Sequence, residues 1–295
     1  MENKETYQEF YYWGKTMLEQ AGVLEAALDA RYLLEAACHT NRNTLLVDPQ
    51  RKLSEEEESL YKAYIEKRRT RVPLQHILGV QEFMGLEFRV DERVLIPRQD
   101  TECVVEEVLR FLQDGNEILD LCTGSGCILL SLLHYSNHCG GIGVDISPDA
   151  LLVARENAKA IGSLPHPNPW REDTVSFIES DLFEKLGEKT FDLIVSNPPY
   201  IETKEIGNLM EEVRDHEPIL ALDGKEDGLY FYRRIIEKSD GYLKKGGMLF
   251  FEIGYNQARA VKEIMMEKGY IEVTVQQDLA GLDRVVYGTW MPSQK

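Results

Sequence analysis

The stretch best suited to hold a flat, amide-bearing group is an asparagine followed by two prolines and a tyrosine, Asn197 to Tyr200. It follows an apolar run at 191–195 that predicts a buried strand. Pro198 and Pro199 stop that strand in a rigid corner, because each fixes φ and lacks an N–H. The Asn197 amide and the Pro198 carbonyl can accept N–H protons, and the Tyr200 ring can stack on a planar group. The alternative is a simple proline-rich turn, but the position after a strand favours a ligand site.

A glycine-rich loop after an earlier strand is the second candidate site. The strand is predicted at 117–121, and the glycines at 124 and 126 would let a ligand approach the backbone closely. A dinucleotide fingerprint has a third glycine where Leu129 stands here. Asp120 would repel a pyrophosphate and attract an ammonium or sulfonium group, which favours S-adenosylmethionine over NAD. The predicted cofactor contacts in this region are Asp120, Cys122, Thr123, Gly124, Ser125 and Gly126.

Acidic residues also stand at the ends of the next two predicted strands. Asp145, with Ile146 beside it, is suited to accept two ribose hydroxyls. Asp181 could accept the adenine amino group, and Leu182 could line the face of the ring. Each acid alone could instead cap a helix. Acids at three successive strand ends, counting Asp120, favour a nucleoside-containing ligand.

Strand and helix patterns alternate from residue 116 onward, which is typical of a doubly wound parallel sheet. The predicted parallel strands lie at 117–121, 140–144, 175–178, 193–196 and 247–253. Two further runs could form an antiparallel edge, at 271–276 and 284–291. The predicted helices lie at 99–112, 127–135, 148–161, 228–239 and 256–268, and a proline-containing loop is predicted at 162–171.

The first 72 residues predict helices only, at 7–20, 24–38, 43–47 and 54–69. The last of them begins with a capping box formed by Ser54 and Glu57. A β-hairpin is predicted next, with strands at 81–83 and 86–90. The predicted domains are a helical domain at 1–72, a hairpin linker at 73–98 and an α/β domain at 99–295. The helical domain is either a substrate-recognition cap, which we favour, or a stabilising appendage.

The composition favours a soluble, acidic protein. A formal net charge of −18 disfavours stable binding to nucleic acid and favours a basic partner. No apolar run of about 18 residues and no apolar signal core are present, which predicts a cytoplasmic protein without membrane spans. The five cysteines and six histidines show no metal-ligand spacing, so we predict reduced thiols and no metal. We also expect a monomer.

The two candidate sites together resemble those of class I S-adenosylmethionine-dependent methyltransferases. Along nearly its whole length the sequence is similar to one branch, the glutamine methyltransferases of peptide-chain release factors (HemK/PrmC-type). The most specific segments are Ile96-Pro97-Arg98-Gln99-Asp100-Thr101-Glu102 and Glu217-Pro218 followed by Ala221-Leu222-Asp223-Gly224. Asn-Pro-Pro-Tyr is shared with DNA adenine methyltransferases. One departure is Cys122, where the family often has glycine.

The resemblance implies a Rossmann-like α/β fold with a seven-stranded sheet, a small helical N-terminal domain and a linking hairpin. It implies methyl transfer from S-adenosylmethionine to the side-chain amide nitrogen of the glutamine in the Gly-Gly-Gln loop of a release factor. Asn197 and the Pro198 carbonyl would then accept the amide protons, while Pro199 and Tyr200 would contact the substrate. Asn197 would also contact the cofactor. Glu217 could either cover the site or make a structural hydrogen bond.

Other functions stay open at this point. A DNA adenine methyltransferase would use the same motif on a flipped base, but its phosphate contacts conflict with the net charge of −18. A non-catalytic S-adenosylmethionine-binding module would have no need of the amide-holding corner. A nicotinamide oxidoreductase is less favoured still, because the third glycine is missing.

Overall fold

Five helices near the start of the chain build the first of two structural units. The structure is a computed structural model that describes residues 6–164 and 174–292. The first unit comprises Met1–Val80 and Met210–His216, and the second comprises Gln81–Leu209 and Glu217–Lys295. The five helices are α1 (Tyr7–Gln20), α2 (Ala26–Ala37), α3 (Arg42–Val47), α4 (Glu55–Arg69) and α5 (Leu74–Leu78).

Capping boxes begin two of these helices. The Ser54 hydroxyl accepts the Glu57 N–H at 3.1 Å, and the Glu57 side chain accepts the Ser54 N–H at 2.7 Å, which confirms the predicted box. Thr6 and Glu9 form the same arrangement at the start of α1. Apolar side chains at helical spacing meet in one buried core, which includes Phe10, Leu18, Leu33, Leu34, Tyr61 and Ile65.

A hairpin follows, with strands β1 (Val80–Phe83) and β2 (Leu86–Arg89). Its two turn residues, Met84 and Gly85, have φ values of 52° and 69°. Two successive residues with positive φ match the twist of an antiparallel pair, which explains the tight turn.

The second unit alternates strands and helices. Its helices are α6 (Gln99–Leu109), α7 (Cys127–His134), α8 (Pro148–Gly162), α10 (Ile219–Leu222), α11 (Tyr230–Ser239) and α12 (Ala258–Lys268), while α9 (Glu211–His216) belongs to the first unit. The strands of the large sheet are β3 (Glu117–Leu121), β4 (Gly140–Asp145), β5 (Val175–Glu179), β6 (Phe191–Ser196), β7 (Leu243–Glu252), β8 (Tyr270–Gln277) and β9 (Asp283–Trp290). A 3-10 helix covers Thr203–Asn208.

The seven strands have the order β5-β4-β3-β6-β7-β9-β8. The first five of these are parallel, and β9 pairs antiparallel with both β7 and β8. This topology confirms the predicted class I methyltransferase fold and the antiparallel edge. Crossover helices place apolar layers on both faces of such a sheet.

Alternation along each central strand divides the buried side chains between the two faces. In β6, Ile194 belongs to one buried cluster, whereas Leu193 and Val195 belong to the other. Helix α11 contributes to the first cluster and α7 to the second. Both faces are therefore covered, which explains why the three central residues of this strand are all apolar.

A cluster of buried charges lies within the helical unit and includes the short helix α9. Arg68 donates to Asp29 at 2.7 Å and to Glu212 at 2.9 Å, and Arg71 donates to Glu212 at 2.7 Å. Each buried charge thus has an opposite partner, which offsets the cost of removing it from water. The sequence did not predict this cluster, because its members are far apart in the chain.

The predicted long elements are present with small shifts at their ends. Strand β7 begins earlier than predicted, at Leu243, because Leu243 pairs with Phe191 and the register shifts before the next pair. Gly246 and Gly247 lie in this irregular part of the strand, and they interrupt the apolar pattern from which the strand was predicted. The sequence missed the short helices α5, α9, α10 and 203–208, which are too short to show periodicity. Residues 165–173 of the predicted proline-containing loop lie outside the described residues.

No helix in the described ranges 6–164 and 174–292 is long and apolar enough to cross a bilayer. Within the same ranges no group of three or more His, Cys, Asp and Glu side chains is arranged to hold a metal ion. All five cysteines are free thiols.

Candidate active site

Strands β3 and β6 lie side by side where the order of the sheet reverses. The chain adds β4 and β5 on one side of β3 and then places β6 on the other side. Leu121 of β3 pairs with Ser196 of β6, and the Ser196 hydroxyl donates to the Leu121 carbonyl at 2.7 Å. The glycine-rich loop and the Asn-Pro-Pro-Tyr corner therefore leave the sheet next to each other. Open α/β sheets bind ligands at such a switch point.

A cavity of about 320 Å³ opens at this edge of the sheet. Its size is in the range of small-molecule and cofactor sites. The structure brings most of the predicted site residues into its wall, namely Cys122, Thr123, Gly124, Ser125, Asp145, Ile146, Asp181, Leu182, Asn197 and Pro199. Four predicted site residues are not part of the wall, namely Asp120, Gly126, Pro198 and Tyr200.

The glycine-rich loop leaves β3 through a strained residue. Cys122 has a φ of 60°, a left-handed conformation that costs a side-chain-bearing residue roughly 1–2 kcal/mol. Gly124 follows with a φ of 53° at no such cost. Strained non-glycine residues concentrate at ligand sites, where the surrounding structure holds them. Burial raises the pKa of the Cys122 thiol, so this side chain stays protonated at neutral pH.

Asp120 supports this loop from behind. Its side chain is fully buried, and its Oδ2 accepts the Thr123 hydroxyl at 2.6 Å. Burial raises the pKa of this carboxyl to about 7, although the hydrogen bond from Thr123 opposes the rise. Its position favours an indirect role through Thr123. The predicted direct contact of Asp120 with a cationic ligand stays a prediction.

Asp145 presents a fixed carboxylate at the end of β4. Its Oδ2 accepts the Gly124 N–H at 2.9 Å, and its Oδ1 accepts the Ser147 N–H at 2.9 Å. Each carboxylate oxygen has a second lone pair, so both can still accept a hydroxyl. Burial raises the pKa of Asp145, while these backbone hydrogen bonds favour its ionised form. Ile146 lies beside it in the cavity wall and is half exposed.

Asp181 already has a strong partner in the structure. Both of its carboxylate oxygens accept from Arg234 of α11, at 3.0 and 2.9 Å. Arg234 also lies over the Tyr230 ring, 5.4 Å from the centroid. Leu182 has a φ of 53°, which makes it a second strained residue in the cavity wall. Asp181 is thus held by an arginine that the sequence analysis did not assign to the site.

The Asn197 side chain is oriented by helix α6. Its Nδ2 donates to the hydroxyl of Thr101 at 3.4 Å, and Thr101 is only 2% exposed. With Nδ2 engaged in this way, the carboxamide oxygen of Asn197 is available as an acceptor. Asn197 therefore supplies an oriented acceptor in the wall of the cavity.

Tyr200 is held from two directions. Its hydroxyl donates to Oε1 of the buried Glu252 at 3.3 Å, and its carbonyl accepts from the Gln257 amide at 3.0 Å. A Cβ at Gly228, whose φ is 70°, would collide with the same carbonyl. This dense backbone packing fixes the corner that the two prolines begin.

Glu217 accepts a hydrogen bond from Arg98, a cavity-wall residue that is partly exposed. Burial raises the pKa of Glu217, and the Arg98 charge lowers it in part. This contact favours a structural role for Glu217. Sequence reasoning also missed Arg98, Thr101, Tyr230 and Arg234 as wall residues. The signal for the first two was their place in the family-specific segment at 96–102.

Comparison with known proteins matches two family models. A "PrmC N-terminal domain" model matches residues 9–79, and a "Methyltransferase small domain" model matches residues 101–224. The chain is 42% identical to a release factor glutamine methyltransferase from Geobacter sulfurreducens, with 94% of each chain covered. It is 40% identical to one from Caulobacter vibrioides, again with 94% of each chain covered. A methyltransferase structure from Pyrococcus furiosus shares the fold with a TM-score of 0.51 and 17% identity, covering 78% of this chain and 98% of that one.

Proposed function

Because the chain belongs to the release factor glutamine methyltransferase family, we propose that it methylates the side-chain amide nitrogen of the glutamine in the Gly-Gly-Gln loop of peptide-chain release factors. The observation that carries this proposal is the adjacency of the two predicted sites. The glycine-rich loop and Asn197 lie in the wall of one cavity at the switch point between β3 and β6.

The cavity residues fit S-adenosylmethionine. Asp145 offers two oriented oxygens to the ribose hydroxyls, and Leu182 offers an apolar surface to the adenine ring. Asp181 accepts from Arg234 through one lone pair of each oxygen, which leaves the others for the adenine amino group. The loop from Cys122 to Gly126 lets the backbone approach the rest of the cofactor. S-adenosylmethionine supplies an electrophilic methyl group on a sulfonium and leaves as S-adenosylhomocysteine.

The residues of the corner account for the choice of an amide. An amide nitrogen is a weak nucleophile, because its lone pair is delocalised into the carbonyl. Asn197 Oδ1 and the Pro198 carbonyl accept its two N–H protons, which orients the nitrogen and favours positive charge on it during attack. The nitrogen gains the methyl group and then loses one proton. Pro199 and the Tyr200 ring pack against the planar amide.

The acidic charge of the protein supports a protein substrate over nucleic acid. At −18, the chain would repel the phosphates of a long duplex, and it would attract a basic surface. The cytoplasmic location and the monomeric state stay predictions. Light scattering during size-exclusion chromatography tests the monomer.

Incubation with methyl-labelled S-adenosylmethionine and two separate acceptors, a purified release factor and duplex DNA, tests the proposed function. We expect one added methyl on the glutamine of the Gly-Gly-Gln loop, located by digestion and mass spectrometry. Label in DNA would replace the proposal with adenine methylation. Label in neither acceptor, with S-adenosylhomocysteine bound in calorimetry, would favour a non-catalytic binding module or another protein acceptor.

A further inference from the structure

Glu252 is a buried carboxyl that none of the predicted roles uses. It is the last residue of β7, is 2% exposed, and follows Phe251, which pairs with Ser196 of β6. In a parallel pair this register places Glu252 beside Asn197, directly behind the amide-holding corner. Its main-chain carbonyl accepts the Tyr232 hydroxyl at 2.9 Å, so its backbone is fixed as well.

Both polar side chains of the corner reach this carboxyl. Tyr200 does so directly, through the 3.3 Å contact of its hydroxyl with Oε1. Asn197 does so through Thr101, whose hydroxyl accepts from Asn197 at 3.4 Å and lies close enough to the Glu252 carboxyl to lower its pKa as a hydrogen-bond donor. One buried group is therefore connected to both polar side chains of the corner.

We propose that Glu252 is a positioning residue that sets the direction of the hydrogen bonds in the corner. An ionised carboxylate only accepts hydrogen bonds, so the hydroxyl of Thr101 must point toward it. The Thr101 oxygen is then left to accept from Asn197 Nδ2, which turns Asn197 Oδ1 toward the substrate amide. The inference deepens the proposed function, on which it rests.

The charges around Glu252 make this arrangement depend on pH. The pKa of Glu252 is raised to about 7, mainly by burial and to a smaller extent by the charge of Asp100 on α6. Thr101, the Arg284 guanidinium on β9 and Tyr200 oppose this rise. Arg284 is itself paired with Asp100 at 3.0 Å and with Asp278 at 3.1 Å. A protonated Glu252 carboxyl could itself donate a hydrogen bond to Thr101 or Tyr200, and the hydroxyls of these residues would then no longer have to point toward it. The ionised form predominates above about pH 7 and is the active one.

Glu252→Gln tests the proposal, with Glu107→Gln as its matched control. Glu107 is a buried glutamate on α6 that pairs with Arg110 at 2.9 Å and interacts with the Tyr287 hydroxyl, and it is not among the groups that shift the pKa of Glu252. We expect Glu252→Gln to lower kcat on a release factor about tenfold, with KM and the affinity for S-adenosylhomocysteine within about twofold. The wild-type and Glu107→Gln kcat should rise with pH through about 7, and the Glu252→Gln kcat should not.

A double-mutant cycle separates positioning from a merely structural role. If Glu252 acts on Asn197 through Thr101, then Glu252→Gln combined with Thr101→Val should lose little more than the larger single loss. Additive losses, or an unchanged kcat and pH profile in Glu252→Gln, would overturn the proposal.

The side-chain amide of Asn197 gives a readout that needs no activity. We expect its 15N–1H NMR signals, assigned by their loss in Asn197→Asp, to shift in Glu252→Gln and to stay in place in Glu107→Gln. Unmoved signals in Glu252→Gln would also overturn the proposal. If the wild type fails to methylate a release factor, the proposed function fails alone, and this spectrum still decides the role of Glu252.

Discussion

Replacing Asn197 with alanine should separate methyl transfer from cofactor binding. The substitution removes the carboxamide oxygen that we propose accepts a substrate N–H. Loss of one such oriented acceptor lowers kcat by about 100- to 1000-fold, or roughly 3–4 kcal/mol of barrier. The structural cost is smaller, because Asn197 gives up one 3.4 Å hydrogen bond to Thr101, a neutral bond of about 1 kcal/mol or less. The barrier should therefore change several times more than the free energy of unfolding.

Three measurements on Asn197→Ala check this reasoning. Initial rates with a release factor give the change in kcat, calorimetry with S-adenosylhomocysteine gives the affinity, and urea unfolding gives the stability. Asn208→Ala is the matched control, since Asn208 is an exposed asparagine whose amide donates to Glu205. Transfer within about threefold of wild type would refute the acceptor role. Equal loss of transfer and of cofactor binding would assign Asn197 to the cofactor instead.

Three further predictions concern charged side chains, one in the helical unit and two at the candidate site. Arg68→Ala should lower the free energy of unfolding by roughly 3 kcal/mol, because it leaves the buried carboxylate of Asp29 without its partner and removes one of the two arginines that pair with Glu212. Arg69→Ala breaks an exposed pair worth at most about 1 kcal/mol, and urea unfolding compares the two variants. Arg234→Ala should weaken S-adenosylhomocysteine binding up to about fivefold in calorimetry, and Arg233→Ala, which breaks a surface pair, should not; equal affinities would remove Arg234 from the site. The folded-state pKa of Asp120 is about 7 and its ordinary value is 3.8, so the unfolded chain releases this proton first and stability falls as pH rises between those values. Asp120→Asn should reduce this fall by a few kcal/mol between pH 5 and pH 7.5 in urea unfolding, and an unchanged slope would contradict the raised pKa.

The parts of the site that could be predicted from sequence are those formed by residues that are adjacent in the chain. Three such local patterns are the strand before Asn197, the two prolines after it and the loop at Gly124. Each predicts the same local structure whatever the position of its strand in the sheet. Thr101 and Glu252 escaped prediction because their roles depend on register. They approach the corner only when α6 and β7 pack beside β6, which no periodicity reveals.

The same limit explains two other omissions. Arg234 appears in the sequence as one of two adjacent arginines on a helix. Only the packing of α11 directs it to Asp181, while Arg233 pairs at the surface with Asp227. The cluster around Arg68 joins helices that lie more than 140 residues apart in the chain. The partner with which a charged side chain pairs therefore depends on tertiary structure and not on local propensity.

The carboxyl edge of the sheet gathers features that oppose stability. Cys122 and Leu182 are strained non-glycine residues, and both lie in the cavity wall. Asp120 and Glu252 are buried acids whose pKa values are raised to about 7, so neutral pH disfavours the folded state through both of them. In the helical unit, by contrast, the buried charges of Arg68 and its partners compensate one another. A fold shaped by stability alone would put apolar residues or glycine at these four positions. These four residues lie close to the Asn-Pro-Pro-Tyr corner. Such a cluster of destabilising residues is expected where binding a ligand and orienting side chains matter more than stability.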